Sequence, residues 1–232
     1  MTNRIIQLIL GAFLFVSSVN TAIAQTLTEA SIKSLFANQP DYQANYTVTR
    51  GKESIKFRLA KKGHRFRHDL MPIQNAAPSV NEQYRFYKII TLTTPGRPVL
   101  ALDPQEQTYS EMPESEKFPT PDFLPYFEAA LKRARRVSAI GLGPQVVDGH
   151  KTRRLRISFE VGAEEEDAII YVATDLKELI VRMDAADKNG PMSFSMSDIS
   201  LQVPDELFDV PVSYKQVGFD SFLSAMKKKI LK

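Results

Sequence analysis

Apolar and polar residues alternate along almost every stretch of this chain beyond residue 40. Tyr42, Ala44, Tyr46 and Val48 share one parity, with Gln43, Asn45, Thr47 and Thr49 on the other. Ile55, Phe57 and Leu59 alternate with Lys56 and Arg58, and Leu155, Ile157 and Phe159 with Arg154, Arg156 and Ser158. Met192, Phe194 and Met196 alternate in the same way with Ser193, Ser195 and Ser197. A period of two puts the apolar side chains on one face of a strand and leaves the other face wet. A series of such strands curls one large antiparallel sheet around a shared apolar interior.

Strands are predicted at 42–50, 54–61, 64–70, 84–93, 98–103, 107–112, 152–161, 167–173, 178–185 and 191–202. Met71 to Gln83 has no periodicity and reads as a loop. Leu27 to Ala37 reads as a short helix capped by Thr28, with Ile32, Leu35 and Phe36 as its apolar stripe. After a proline-rich connector, Asp122 caps a second helix to about Val137, with Phe123, Leu124, Phe127, Ala130, Leu131 and Ala134 at helical spacing. Gly141, Gly143 and Asp148-Gly149 then punctuate the chain, and no strand is predicted before residue 152. At the end, Phe219, Phe222, Leu223, Met226 and Ile230 recur at helical spacing, with Lys227, Lys228 and Lys229 interleaved. The fold class is therefore mainly β with a few helices: an unclosed antiparallel barrel covered by helices.

The first residues change the compartment. Arg4, an apolar stretch from Ile5 to Val19 and Ala22-Ile23-Ala24 form a cleavable secretory signal over residues 1–24. The apolar stretch is short for a bilayer span of about 20 residues, so an uncleaved anchor is the weaker reading. With no cysteine in the chain, disulfides, thiolate metal sites, a cysteine nucleophile and the lipidated cysteine of a bacterial lipoprotein are all excluded. The expected mature protein is exported, soluble and periplasmic. Residues 25–217 form one domain and 218–232 a basic amphipathic tail. A chain of about 208 residues buries roughly 70% of its unfolded surface, enough for a core without disulfides.

Charge and candidate chemistry add little. The net charge is +3, with basic clusters at 61–67, 132–136 and 151–156. Each reads first as a solvated strand or helix face, and nucleic acid is disfavoured by export and by the acidic run Glu164 to Asp167. His64 and His68 are four apart on a strand, roughly 13 Å, too far for one zinc. His150 follows a turn with no evident partner. Asp103 and Asp148 suit turns. Glu164 to Asp167 lacks the alternating spacing of a calcium loop and reads as a hairpin tip. No triad, nucleophile elbow or phosphate-binding glycine loop is present. No catalytic residue, metal site or cofactor is expected.

Several stretches carry a family resemblance: Tyr46-Thr47-Val48, Leu102-Asp103-Pro104 leading to Thr108-Tyr109, Gly143 to His150, and Leu207-Phe208-Asp209-Val210-Pro211-Val212-Ser213-Tyr214-Lys215. The layout resembles the LolA/LolB-like superfamily of periplasmic lipoprotein carriers, especially its DUF4412-type and outer-membrane lipoprotein-sorting relatives. The resemblance implies a half-barrel whose helices cover a hydrophobic cavity, and a role in carrying lipid acyl chains or lipoproteins for outer membrane biogenesis. On this reading Phe57, Leu59, Phe66, Phe86, Ile157, Val172, Met183, Phe194 and Met196 line the cavity. Phe123, Leu124, Phe127 and Leu131 form the lid helix. The protein is expected to be a monomer, its tail either docked on the barrel or touching membrane. The alternative function is a sensor or assembly module that binds a protein partner through the same fold.

Overall fold

The computed structural model describes residues 26–70, 88–114, 127, 131–161, 164–187 and 190–230. The expected signal peptide, Phe86, Phe123 and Leu124 lie outside the described residues.

Among the described residues, thirteen strands form one sheet in the order β1-β8-β9-β10-β11-β12-β2-β3-β4-β5-β6-β7-β13. Two antiparallel meanders make up nearly all of it. The first comprises β2 (Tyr42–Arg50), β3 (Glu53–Lys62), β4 (Arg65–Leu70), β5 (Ile89–Thr93), β6 (Leu100–Asp103) and β7 (Thr108–Glu111). The second comprises β8 (Arg136–Val147), β9 (His150–Val161), β10 (Glu164–Ala173), β11 (Leu179–Asp187) and β12 (Gly190–Ser200). They join where β12 pairs with β2, Phe194 opposite Val48 and Met196 opposite Tyr46. The two outer edges, β8 and β7, are each met by a two-residue strand, β1 (Thr26–Leu27) and β13 (Lys215–Gln216). Short edge strands limit pairing with other chains.

Local chemistry sets the register. In the β8–β9 hairpin Val147 faces His150 across Asp148-Gly149, with φ of 48° and 85°. Two positive φ values are the demand of a type I′ turn, which Asp-Gly meets. Irregularities at Gly141/Gly143, Tyr171/Val172 and Ser197/Ser200 interrupt the ladders. Such bulges bend and twist a strand, as an open barrel needs.

Three covers complete the molecule. The N-terminal helix Glu29–Ala37 is capped as its sequence predicts, the Thr28 hydroxyl accepting from the Ser31 N–H at 3.2 Å. Its Ile32 and Phe36, together with Phe127 and Leu131 of the mid-chain helical stretch, enter the main core between sheet and helices. Beyond β12 the chain crosses the back of the first meander. Val203, the 3-10 helix Asp205–Phe208 and Leu207 pack on Ala60, and Val210 and Tyr214 pack near Ile90, Leu92 and Leu102. It turns at the β7 edge through β13, and the C-terminal helix Phe219–Ile230 seats Phe222 and Met226 against Ile89, Ala101 and Met112 on the front. The tail therefore docks on the barrel, the first of the two positions expected for it.

The sequence reading needs four corrections. Residues 136–147 are a twelve-residue strand, not an irregular stretch that begins with the end of a helix; the helical stretch stops by 133. The acidic run 164–167 lies within β10, paired to 158–161, so it is no hairpin tip. His64 belongs to the β3–β4 turn, whereas His68 is in β4. His150 has a partner: its Nδ1 lies 3.1 Å from Asp175 Oδ2.

Candidate functional site

The register assigns the concave face residue by residue. One cross-strand line runs Met196, Tyr46, Phe57, Leu70 and Ile89. The next runs Ala44, Leu59, His68, Thr91, Ala101 and Ser110. In the second meander Phe194, Met183, Ile170 and Leu155 form a line. Of the residues predicted to line a cavity, Phe57, Leu59, Ile157, Val172, Met183, Phe194 and Met196 are all on this face and no more than 2% exposed. They form one cluster with Ile32, Phe36, Phe127 and Leu131. Tyr46 stacks on Phe57 at 5.0 Å and on Phe194 at 5.7 Å, while Phe127 meets Phe159 edge to face at 4.9 Å. Phe66 shares the face but is half-buried, stacked 6.4 Å from His68. The predicted wall and the two described lid residues are thus brought together, in close-packed contact.

Polar groups interrupt this surface in the first meander alone among the described lines. Tyr42 and Tyr46 hydroxyls lie 2.5 Å apart, and Thr91 Oγ1 lies 3.5 Å from His68 Nδ1. At the end of β3, Lys61 Nζ donates to the carbonyls of Gln39 at 2.8 Å and Pro40 at 3.4 Å. Burial pushes the Lys61 ammonium below its ordinary pKa, with Asp41 partly opposing. Asp103 accepts from the N–H groups of Gln105 and Glu106, the turn role its sequence suggests. On the back of the second meander Arg182 lies over the Tyr171 ring at 5.2 Å and bonds Asp184, which accepts from the Tyr171 hydroxyl at 2.8 Å.

A separate cavity of about 870 Å³ opens to solvent where the β5–β6 turn meets the end of β7. Pro98, Val99, Met112 and Pro113 give it apolar walls, and Arg97, Glu111 and Glu114 add charge. Val99 and Met112 also pack in the cluster formed by Phe222 and Met226. The sequence reading missed this place. Its residues lie at strand ends and in a turn, where period-two alternation has stopped.

Among the described residues no group of acidic or histidine side chains is placed to hold a metal ion, and no helix is long and apolar enough to cross a membrane.

The architecture is an open antiparallel half-barrel with helices across its concave face. A solved structure shares this fold. MucB superposes with a TM-score of 0.53 at 9% identity, over 80% of this chain and 62% of that one. LprF from Mycobacterium bovis gives 0.48 at 12% identity, over 80% and 95%. A LolA superfamily protein from Nitrosomonas europaea gives 0.33 at 12% identity, over 79% and 98%. No family model and no curated protein matches the sequence, so the DUF4412-type relation has no support.

Proposed function

We propose that this protein is an exported, periplasmic carrier that holds acyl chains of lipids or lipoproteins without catalysis. The observation that carries the reading is the concave face itself. It is apolar over β9 to β12 and β2, mainly apolar with His68 and Thr91 among its residues over β3 to β5, and roofed by helices instead of a second sheet. Helices held on a sheet by side-chain packing alone can be lifted without breaking a ladder. Each methylene of a bound chain then contributes about 0.8 kcal/mol by leaving water. The fold shared with MucB supports the architecture; the ligand class follows from the chemistry of the face. Of the buried polar groups of the first meander, Lys61 serves backbone carbonyls and Asp103 a turn, while Tyr42 meets Tyr46 and His68 meets Thr91; the reading assigns none of them a catalytic role.

The test is native mass spectrometry of the mature protein purified from its own envelope, with lipid extraction and titration with a fluorescent fatty acid. Co-purified lipid or acylated peptide, or saturable uptake, is the expected result. A bare protein mass with no uptake would overturn the reading.

That second outcome would favour a protein-binding module. Ile140 and Val146 of β8 are 48% and 64% exposed near the sheet edge, a place for a partner chain. MucB has been solved in complex with MucA(peri), so the fold is used in that protein to hold a partner.

A further inference from the structure

Charge is unevenly spread along this chain. Residues 131–156 carry eight lysines and arginines and one carboxylate, Asp148, in a protein whose net charge is only +3. The fold gathers that segment at one border of the sheet, formed by the helical residues 131–133, strand β8 and the first half of β9. On its outer side β8 is met by β1 at Ala139 and Ile140 alone, while its ladder with β9 continues to Val147 opposite His150. Among the described residues, no strand lies outside 141–147.

The exposed side chains of this border come in pairs. Ile140, 48% exposed, stands opposite the exposed Arg156, and Val146, 64% exposed, stands opposite the exposed Lys151. The neighbouring Arg136 and Arg153 are paired with Glu160 and Glu178, and Arg154 bonds the Leu142 carbonyl at 2.9 Å. Arg156 and Lys151 have no side-chain partner among the described residues. They are five positions apart along β9, and an odd spacing puts them on opposite faces of a strand. A flat surface such as a membrane reaches one of them. A chain lying along the edge reaches both.

We propose that the β8 border is a docking edge for an extended acidic segment of a partner protein, about seven residues long, with carboxylates and apolar side chains on both of its faces. Ile140 and Val146 receive the apolar side chains, and Arg156 and Lys151 the carboxylates. A second copy of this chain does not suit the place, because two such basic borders repel each other. The backbone works in the same direction. The ladder is irregular at Gly141/Gly143, Gly143 has a φ of 86°, and Pro144 has no N–H to donate, all features that keep a sheet edge from pairing with its like. Recognition therefore falls mainly to side chains. The proposal rests on the second, protein-binding reading above and holds whether or not the concave face carries acyl chains.

The experiment uses the full mature chain and a fluorescein-labelled peptide in which glutamate pairs alternate with valine pairs, so that each face of the extended peptide carries both. The control replaces every glutamate by lysine, and binding is read by fluorescence anisotropy. The acidic peptide is expected to bind, more weakly as salt rises, and the basic one not to bind. Lys151→Glu combined with Arg156→Glu is expected to weaken binding at least about tenfold without lowering the melting temperature, both side chains being exposed. Equal binding of both peptides, or full binding by the double variant, would overturn this edge while leaving a protein-binding module standing. No binding of either peptide would remove both. Flotation with phosphatidylglycerol vesicles that the double variant loses, without peptide binding, would assign the border to a lipid surface and overturn the proposal. Should the double variant fail to fold, the two peptides on wild type decide.

Discussion

Strands β9 and β5 draw on similar residues and are buried in different ways. In β9 the pattern is strict: Leu155, Ile157 and Phe159 are buried, while Arg154, Arg156 and Ser158 between them are half-buried or exposed. In β5 four consecutive residues, Ile89 to Leu92, are buried. The difference comes from what lies behind each strand. The second meander is covered on its front, and its back carries half-buried and exposed polar side chains such as Arg154, Arg156 and Arg182. Behind β3 to β7 the chain returns, with Phe208, Val210 and Tyr214 closing the back and Phe222 and Met226 closing the front. Alternation marks most stretches with one cover; it is lost in β5, where the chain comes back, and also at Ile170–Ala173 of β10, beside the Tyr171/Val172 irregularity.

The largest effect should fall on the singly covered half, because its one core holds both sheet and helices. Phe159→Ala removes a ring 2% exposed that contacts Phe127. A loss of about 3–5 kcal/mol is expected in urea unfolding, with one cooperative transition. A loss under about 1 kcal/mol would mean that the helical roof is not coupled to β9.

Met226→Ala tests the other half. Its cluster is small, so about 2 kcal/mol is expected, at the low end for such truncations. Hydrogen exchange should show the C-terminal helix opening while β9 to β12 keep their protection, the behaviour of a separate cooperative unit. Equal loss of protection in both halves would break the comparison.

Within the shared middle, Tyr42→Phe removes one hydroxyl from the buried Tyr42–Tyr46 pair at 2.5 Å. The expected cost is about 1 kcal/mol, with no change in the slope against denaturant.

How much of this was legible follows from the same contrast. The strands with one cover, β2, β9, β11 and β12, are legible by alternation to within a few residues, as is the doubly covered β3. The N-terminal helix was legible because Thr28 and its apolar stripe are both local signals. Strand β8 was not, because Gly141 and Gly143 read as punctuation and its first residues as the end of a helix. Both glycines are tolerated where the ladder is irregular, at Gly143 with φ of 86°, and where no described strand pairs β8 beyond Ile140 on its outer side. The seat of the C-terminal helix was illegible for a different reason. Its stripe is written in the sequence, but Ile89, Ala101 and Met112, which receive it, come from β5, β6 and the residue after β7, with no common pattern.

The smallest effect is one of sign. Lys61 sits at the end of β3, its ammonium bonded to the Gln39 and Pro40 carbonyls. Burial is the larger influence and Asp41 the lesser, so its folded pKa lies below the ordinary 10.5. Between that lowered value and 10.5 the unfolded chain binds more protons than the folded one. Stability therefore rises with pH through this window, and the burial penalty stands in full below it. Tyr171 and Tyr214 are held above their ordinary 10.0, chiefly by burial, and act in the opposite direction above that pH. Subtracting the stability of Lys61→Met from that of wild type isolates the lysine. The difference should stay level near neutrality and climb toward pH 10.5 in denaturant titrations at stepped pH. A difference that falls over the same window would mean that Asp41 outweighs burial, and that this corner of the first meander is wetter than its packing implies.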